Sequence, residues 1–208
     1  MAIEKLPYFS GDEIALQAIE TGKKCFVDIY EYQKVSVVLG NSIKLDPDIN
    51  VKACLKEKVL LLRRKGGGGA VVLSPGVWVI TACYANKRKD LNIPMILHRI
   101  ALTIGEGLEQ ITNIKISLRG MGDLCIGDRK ILGSSLYSGR GAILYQGSLM
   151  VDNDLSLISK FLNHPSKEPE YRRGRRHEDF VTKLSNAAKI NTDVMKQCLL
   201  HKLNTFTF

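Results

Sequence analysis

The sequence predicts an α/β (α+β) fold, a mixed and largely antiparallel sheet flanked by helices. Three observations carry this. Short β-branched segments recur along the chain, separated by glycine-rich or polar turns. Between them lies one long span with apolar residues at helical spacing. No internal repeat and no break in composition divides the 208 residues, so a single domain over 1–208 is expected.

The elements follow in order. Ser10 and Glu13 have the spacing of a capping box, starting a short helix through Ile14, Ala15, Leu16, Ala18 and Ile19. CFVDIYEY (25–32) and KVSVVLG (34–40) predict paired strands with a tight turn near Gln33. A short helix at 50–57 precedes VLLLRR (59–64), a buried strand that runs into the glycine stretch RRKGGGGAVV (63–72). VWVITA (77–82) is a further strand. Ile96, Leu97, Ile100, Ala101, Ile104 and Leu108 then mark a helix over 92–111, with Pro94 tolerated in its first turn. IKISLR (114–119), RKILGSSLYS (129–138) and AILYQGSLMV (142–151) read as strands joined by glycine turns. Asp154 is expected to cap the helix DLSLISKFL. A proline-punctuated loop leads from there to two C-terminal helices carrying Phe180, Val181, Leu184, Val194, Cys198 and Leu199.

Composition narrows the function. The N-terminus has no signal-peptide run and no apolar stretch is long enough to cross a bilayer, so a cytoplasmic protein without membrane contact is expected. Five scattered cysteines with no C-x-x-C pair, and four dispersed histidines, argue against a disulfide framework and against protein side chains that ligate a metal. A net charge of +9 favours an anionic partner. The basic runs are Lys87, Arg88 and Lys89, and Arg172, Arg173, Arg175 and Arg176. Nucleic acid is disfavoured as that partner, because aromatics make up 7% of the chain and no nucleic-acid module signature is present.

The glycine run fits none of the common phosphate loops. A Walker A loop places its lysine after the glycines and continues as a helix, whereas here Lys65 precedes them and Val71, Val72 and Leu73 read as strand. The same strand excludes a dinucleotide fingerprint. A kinase loop would require H-R-D and D-F-G companions that are absent. The run therefore marks a strand-loop-strand cradle in which bare backbone approaches a ligand. In GDLCIGDRKILGSS (122–135), Lys130 begins a strand that continues as small residues, so its ammonium can reach across a cleft with an open floor. AILYQGSLMVDNDL (142–155) again carries a glycine inside a strand, a mark of close approach.

Together these three segments, in this order and spacing, resemble the signature segments of the lipoate-protein ligase A branch of the biotin/lipoate protein ligase family, over roughly residues 25–162. The resemblance implies a fold related to the class II aminoacyl-tRNA synthetase and biotin protein ligase catalytic core. It implies that lipoate or octanoate is joined, through an acyl-adenylate and with ATP and Mg2+, to a lysine of an acidic lipoyl domain or glycine-cleavage carrier protein. Position by position, Lys130 matches the family's essential lysine and Arg64 would approach the adenylate. Gly67, Gly68, Gly69 and Ala70, running into Val71, would let the acyl chain lie along backbone. Asp123 matches a positioning acid, Ser134 and Ser135 fall on the Gly-Ser-Ala segment, and Gly147, Ser148 and Leu149 match the strand beside the nucleotide.

The chain departs from the family pattern at several polar positions. Leu73 and Gln146 stand where members commonly carry histidine, Val77 and Gly122 where they carry asparagine, and Gly66 where they often carry Ser or Thr. The chain stops at Phe208 without the accessory domain of the larger bacterial ligases, which implies a possible separate accessory subunit. Other readings stay open. One is octanoyl transfer through a thioester on Cys125 or Cys83; others are a non-catalytic relative or a basic nucleic-acid-binding protein. Biotin ligation is disfavoured because the G-R-G-R-x-G-R loop is missing.

Overall fold

The computed structural model describes residues 6–42, 47–86, 88 and 90–208. Nine strands form two sheets among the described residues. The larger sheet is antiparallel throughout and has the order β1 (Cys25–Glu31), β5 (Val77–Ala85), β9 (Ala142–Met150), β8 (Arg129–Gly139), β7 (Asp123–Ile126), β6 (Ser117–Arg119). In the smaller sheet, β2 (Ser36–Leu39) lies between β3 (Leu60–Arg63), parallel to it, and β4 (Val71–Leu73), antiparallel. The fold is thus the mixed, largely antiparallel α/β class read from the sequence.

Period-two alternation explains why the central strands are buried on both faces. Along β5, Trp78, Ile80, Ala82 and Tyr84 join a core with β9 residues Ile143, Tyr145 and Leu149. The same core includes Ile96, Ile100, Ile104 and Leu108 of helix α3 (Ile93–Thr112), which follows the short α2 (Val51–Lys56), and Met195, Leu199 and Leu203 of the C-terminal helix (Thr192–Asn204). The alternate residues Val77 and Val79 pack instead against Val38 and Leu73 of the small sheet. Cys83 and Leu144, farther along, pack against Ala15, Leu16 and Ile19 of helix α1 (Ser10–Glu20). The large sheet is therefore the middle layer, with helices on one face and the small sheet plus α1 on the other.

Several local expectations are corrected. Helix α1 begins at Ser10 with Phe9 as its N-cap and no side-chain cap bond; Glu13 is drawn instead to Arg140, 3.0 Å away. Ile14 is exposed. The segments 25–32 and 34–40 do not pair with each other, because residues 32–35 carry the chain from one sheet to the other. Asp154 Oδ1 accepts from the Ser156 amide at 2.9 Å, and helix α4 (Ser156–Phe161) starts just after it. The C-terminal stretch has a single-turn helix α5 (His177–Phe180), a 3-10 turn at Leu184–Asn186 and one long helix, α6 (Thr192–Asn204), rather than two full helices. In α6 Val194 faces solvent and Met195 takes the core position. Lys87 and Lys89 lie outside the described residues, while Arg88 pairs with Asp90 at 3.0 Å. No helix among the described residues is long and apolar enough to cross a membrane.

Candidate active site

Two adjoining clefts, of about 130 and 200 Å3, open between the sheets. They share Gly69, Ala70 and Val71 on one wall and Lys130, Gly133 and Ser148 on the other. The first continues toward Phe9, Val38, Leu73 and Val79, with Arg64, Ser134, Ser135, Gln146 and Gly147 completing its lining. The second continues toward Val77, Met150 and the loop that carries Lys167, Arg172 and His177.

The glycine loop is shaped by close approach on one side only. A Cβ at Gly40 would stand 2.0 Å from the Gly68 carbonyl oxygen, so β2 and the loop touch backbone to backbone. Gly68 has φ +88°, a region that favours glycine. A Cβ at Gly67 or Gly69 would meet nothing within 4 Å, and Gly69 lines both clefts. The three cations of RRK are largely spent on structure. Arg63 Nη1 donates to the carbonyls of Gly40 and Asn41 at 2.9 and 2.8 Å, and Lys65 lies over the Tyr8 ring. Arg64 is buried and holds the loop: Nη2 donates to the Gly67 and Gly69 carbonyls at 2.6 and 2.8 Å, and Nη1 to Val38 O at 3.2 Å. Burial lowers its pKa to about 10, against the opposing pull of Asp12. Asp12, fully buried in the first turn of α1, accepts from the Lys65 amide at 2.5 Å, and burial raises its pKa to about 6.

Lys130 is aimed by a bulge. On β7 Leu124 pairs with Leu132 and Cys125 with Lys130, so Ile131 is an extra residue that breaks the alternation of β8. Without it Lys130 would share a face with Leu132, which is in the helix-side core. With it, the ammonium lies over Gly133, where an added Cβ would stand 3.0 Å from both Nζ and Cε. Nζ is 2.8 Å from Asp123 Oδ1, and the Tyr171 hydroxyl donates to Oδ2 at 2.7 Å. Burial first, then Asp123, raises the Tyr171 pKa, so this phenol stays a donor. Ser134 Oγ is 2.7 Å from both the Gly122 carbonyl and the Tyr145 hydroxyl.

Of the residues expected at a site, Arg64, Gly69, Ala70, Val71, Lys130, Ser134, Ser135, Gly147 and Ser148 come together around the clefts. Gly67, Gly68 and Asp123 act at one remove, and Leu149 points into the helix-side core. Gly133, Tyr171 and Gln146 were not assigned a role from sequence. Gln146 had a legible signal, a lone amide in an otherwise apolar strand; Tyr171 had none apart from its loop. A Cβ at Gly66 would meet Ser135 Oγ at 2.8 Å, so the Ser135 hydroxyl occupies the space a Ser or Thr at 66 would need.

The Arg172–Arg176 loop divides its cations. Arg172 is buried at the second cleft, stacked over Phe180, with Nε donating to Arg175 O at 2.9 Å. Its Nη2 donates to His177 Nδ1 at 3.4 Å, and His177 Nε2–H to Asn163 O at 3.0 Å. Burial lowers the His177 pKa, consistent with that neutral tautomer. Arg175 and Arg176 pair with Asp128 and Asp179. Cys125 and Cys83 face neither cleft. Burial raises both thiols, Cys83 to about 12, the opposite of what an activated nucleophile needs.

Lys130 thus stands under the glycine loop at the junction of the two clefts. The chain belongs to the family of the lipoyl protein ligase A/B catalytic domain, whose family model matches residues 8–204. A comparison with curated proteins finds no match. Among solved structures, the chain superimposes on a lipoate-protein ligase A bound with ATP (TM-score 0.79, 18% identity, 96% of this chain and 83% of that one). It is also similar to a bi-partite lipoate protein ligase of Thermoplasma acidophilum, described together with its E2 lipoyl domain in an archaeal lipoylation system (TM-score 0.78, 20% identity, 95% and 79%). A putative lipoate protein ligase from T. acidophilum with bound lipoic acid gives TM-score 0.76 at 18% identity (95% and 80%). At such identities these structures establish the fold.

Proposed function

We propose that this protein is a lipoate- or octanoate-protein ligase that forms an acyl-adenylate from the acid and ATP with release of pyrophosphate, then transfers the acyl group to a lysine amine of an acidic lipoyl carrier domain with release of AMP and a proton. The observation that carries the reading is the position of Lys130, at the junction of the two clefts and over Gly133. In the first cleft the apolar walls of Val38, Val71, Leu73 and Val79 suit a medium-chain acyl group. In the second, the Lys167 ammonium, with Lys130 at the junction, suits a nucleotide phosphate. The donors of that cleft fit ATP, with Mg2+ held by the triphosphate rather than by protein carboxylates; ATP supplies the activation of the acid. Lys130 then holds the carboxylate oxygen against the phosphate. Its fixed positive charge stabilises the negative charge that develops there, both as the acid is activated and as the carrier amine attacks.

The ligase bound to ATP supports the nucleotide, and the T. acidophilum ligase with its lipoyl domain supports the carrier and a possible accessory subunit. The basic surface suits an acidic carrier through electrostatic steering. The test is incubation with octanoate or lipoate, ATP, Mg2+ and an apo lipoyl domain, read by intact mass. An ATP-dependent gain of one acyl group, abolished in Lys130→Ala and kept in Cys125→Ser, is expected. A gain that needs an acyl carrier protein donor and survives Lys130→Ala overturns the ligase mechanism.

A further inference from the structure

The apolar part of the first cleft runs across the strands of the large sheet. Lys130 lies over Gly133 on β8, Gly133 pairs with Ser148 on β9, and Ser148 pairs with Val79 on β5. Neighbouring strands stand about 4.8 Å apart, so the floor from Gly133 to Val79 is about 10 Å long, the span of an extended chain of about eight carbons. Val38 and Leu73 of the facing small sheet pack against Val79 and line the same cleft. A chain anchored by its carboxylate at Lys130 passes over Gly133 and Ser148 and brings its methyl end to this apolar group.

Phe9 stands there. It lines the cleft and belongs to the cluster of Val38, Leu73 and Val79. Its ring is braced on two sides: the Tyr32 ring lies 6.3 Å away, centroid to centroid, and a Cβ at Gly11 would stand 2.8 Å from Phe9 Cε1, so bare backbone lies against the ring edge. The backbone of Phe9 is fixed as well. Its amide donates to the Arg63 carbonyl at 2.8 Å, and its carbonyl accepts from the Asp12 amide at 3.1 Å. A longer chain must displace this ring or fold back on itself, and overpacking of that kind opposes binding.

We propose that Phe9 is the end stop of the first cleft and sets the longest acid the protein accepts, at about eight carbons. The inference rests on reading the cleft as an acyl site and adds a specificity-determining residue to it. Across the sheet the next position after Val79 is its β1 partner Tyr30, and Tyr30 and Tyr32 pack in the same cluster as Phe9. Removal of the Phe9 ring opens the cleft toward these two side chains, whose ring faces offer further apolar floor.

The test is isothermal titration with straight-chain hexanoate, octanoate, decanoate and dodecanoate, in the native protein, Phe9→Ala and Phe9→Leu, each checked for folding by a melting curve. A buried methylene strengthens binding about fourfold, so native affinity is expected to rise about 15-fold from hexanoate to octanoate and to fall beyond it. In Phe9→Ala the rise is expected to continue to dodecanoate. Phe9→Leu, the milder change should the alanine variant not fold, is expected to bind decanoate at least as tightly as octanoate. Native affinity that climbs steadily to dodecanoate overturns this inference and leaves the acyl site standing. A maximum that stays at octanoate in every folded variant overturns the role of Phe9. Binding of none of the acids overturns the acyl site and the inference with it.

Discussion

A methyl group at position 133 would stand 3.0 Å from both Cε and Nζ of Lys130, so Gly133→Ala forces the ammonium, and not the backbone, to move. The lysine end is flexible, and the fold therefore tolerates the change. The ammonium must retreat by roughly half an ångström to reach ordinary contact. At an effective dielectric near 20, lengthening the 2.8 Å pair with Asp123 by that amount removes about 1 kcal/mol of attraction. On the proposed mechanism the same displacement acts on the negative charge that Lys130 would stabilise, and small misplacements of a catalytic group cost up to about 100-fold. We expect kcat for carrier acylation to fall about 10- to 100-fold, with the thermal midpoint within a few degrees of native. Single-turnover transfer followed by intact mass, together with a melting curve, gives both numbers. A native kcat in the folded variant would refute the claim that the ammonium works from its place over Gly133.

Two further outcomes follow from the same geometry. Tyr171→Phe removes the donor to Asp123 Oδ2 while keeping the ring packed on Phe180; kcat should fall about 5- to 10-fold with KM for the acid nearly constant, and a change confined to KM would count against a positioning role. Asp12 has a folded pKa of about 6 against 3.8 for the free side chain, so the folded state holds a proton that the unfolded state releases between those values. Stability from this group is present below about pH 3.8 and is lost as pH rises to about 6, by up to about 3 kcal/mol. Asp12→Asn keeps an oxygen for the Lys65 amide. Its melting temperature should therefore exceed the native one at pH 7 and converge with it near pH 4; parallel curves across that range would exclude the effect.

Much of the architecture is legible in the sequence because burial on both faces of β5 and β9 leaves long apolar runs, and α3 keeps a strict helical period. What the sequence does not carry is which sheet a strand joins. Residues 25–32 and 34–40 look like a hairpin locally, yet Ile29 belongs to the helix-side core and Val38 to the opposite layer, and only those long-range contacts separate them. The same holds at the site. The motif names Lys130, but strict alternation along β8 would turn it toward the helices, and the extra residue Ile131 that turns it back is visible only in the pairing with β7. Tyr171, 48 positions from Asp123, reaches its partner through a loop whose sequence reads as mere basic charge.

The glycine run divides its labour, and that division reassigns Arg64. Gly68 supplies the positive φ, Gly40 gives the loop room to lie on β2, and Gly69 leaves a wall of the clefts without a side chain. A loop so lacking in side chains has little of its own to fix its shape, and its glycines add conformational entropy to the unfolded chain. Arg64 provides the fixing from within, by binding the Gly67 and Gly69 carbonyls from a buried position that Asp12 helps to keep charged. Those two bonds take up the Gly67 and Gly69 carbonyls. The charge beside the glycines thus organises the loop, and Lys130, from across the cleft, is the cation that the proposed mechanism sets against the substrate.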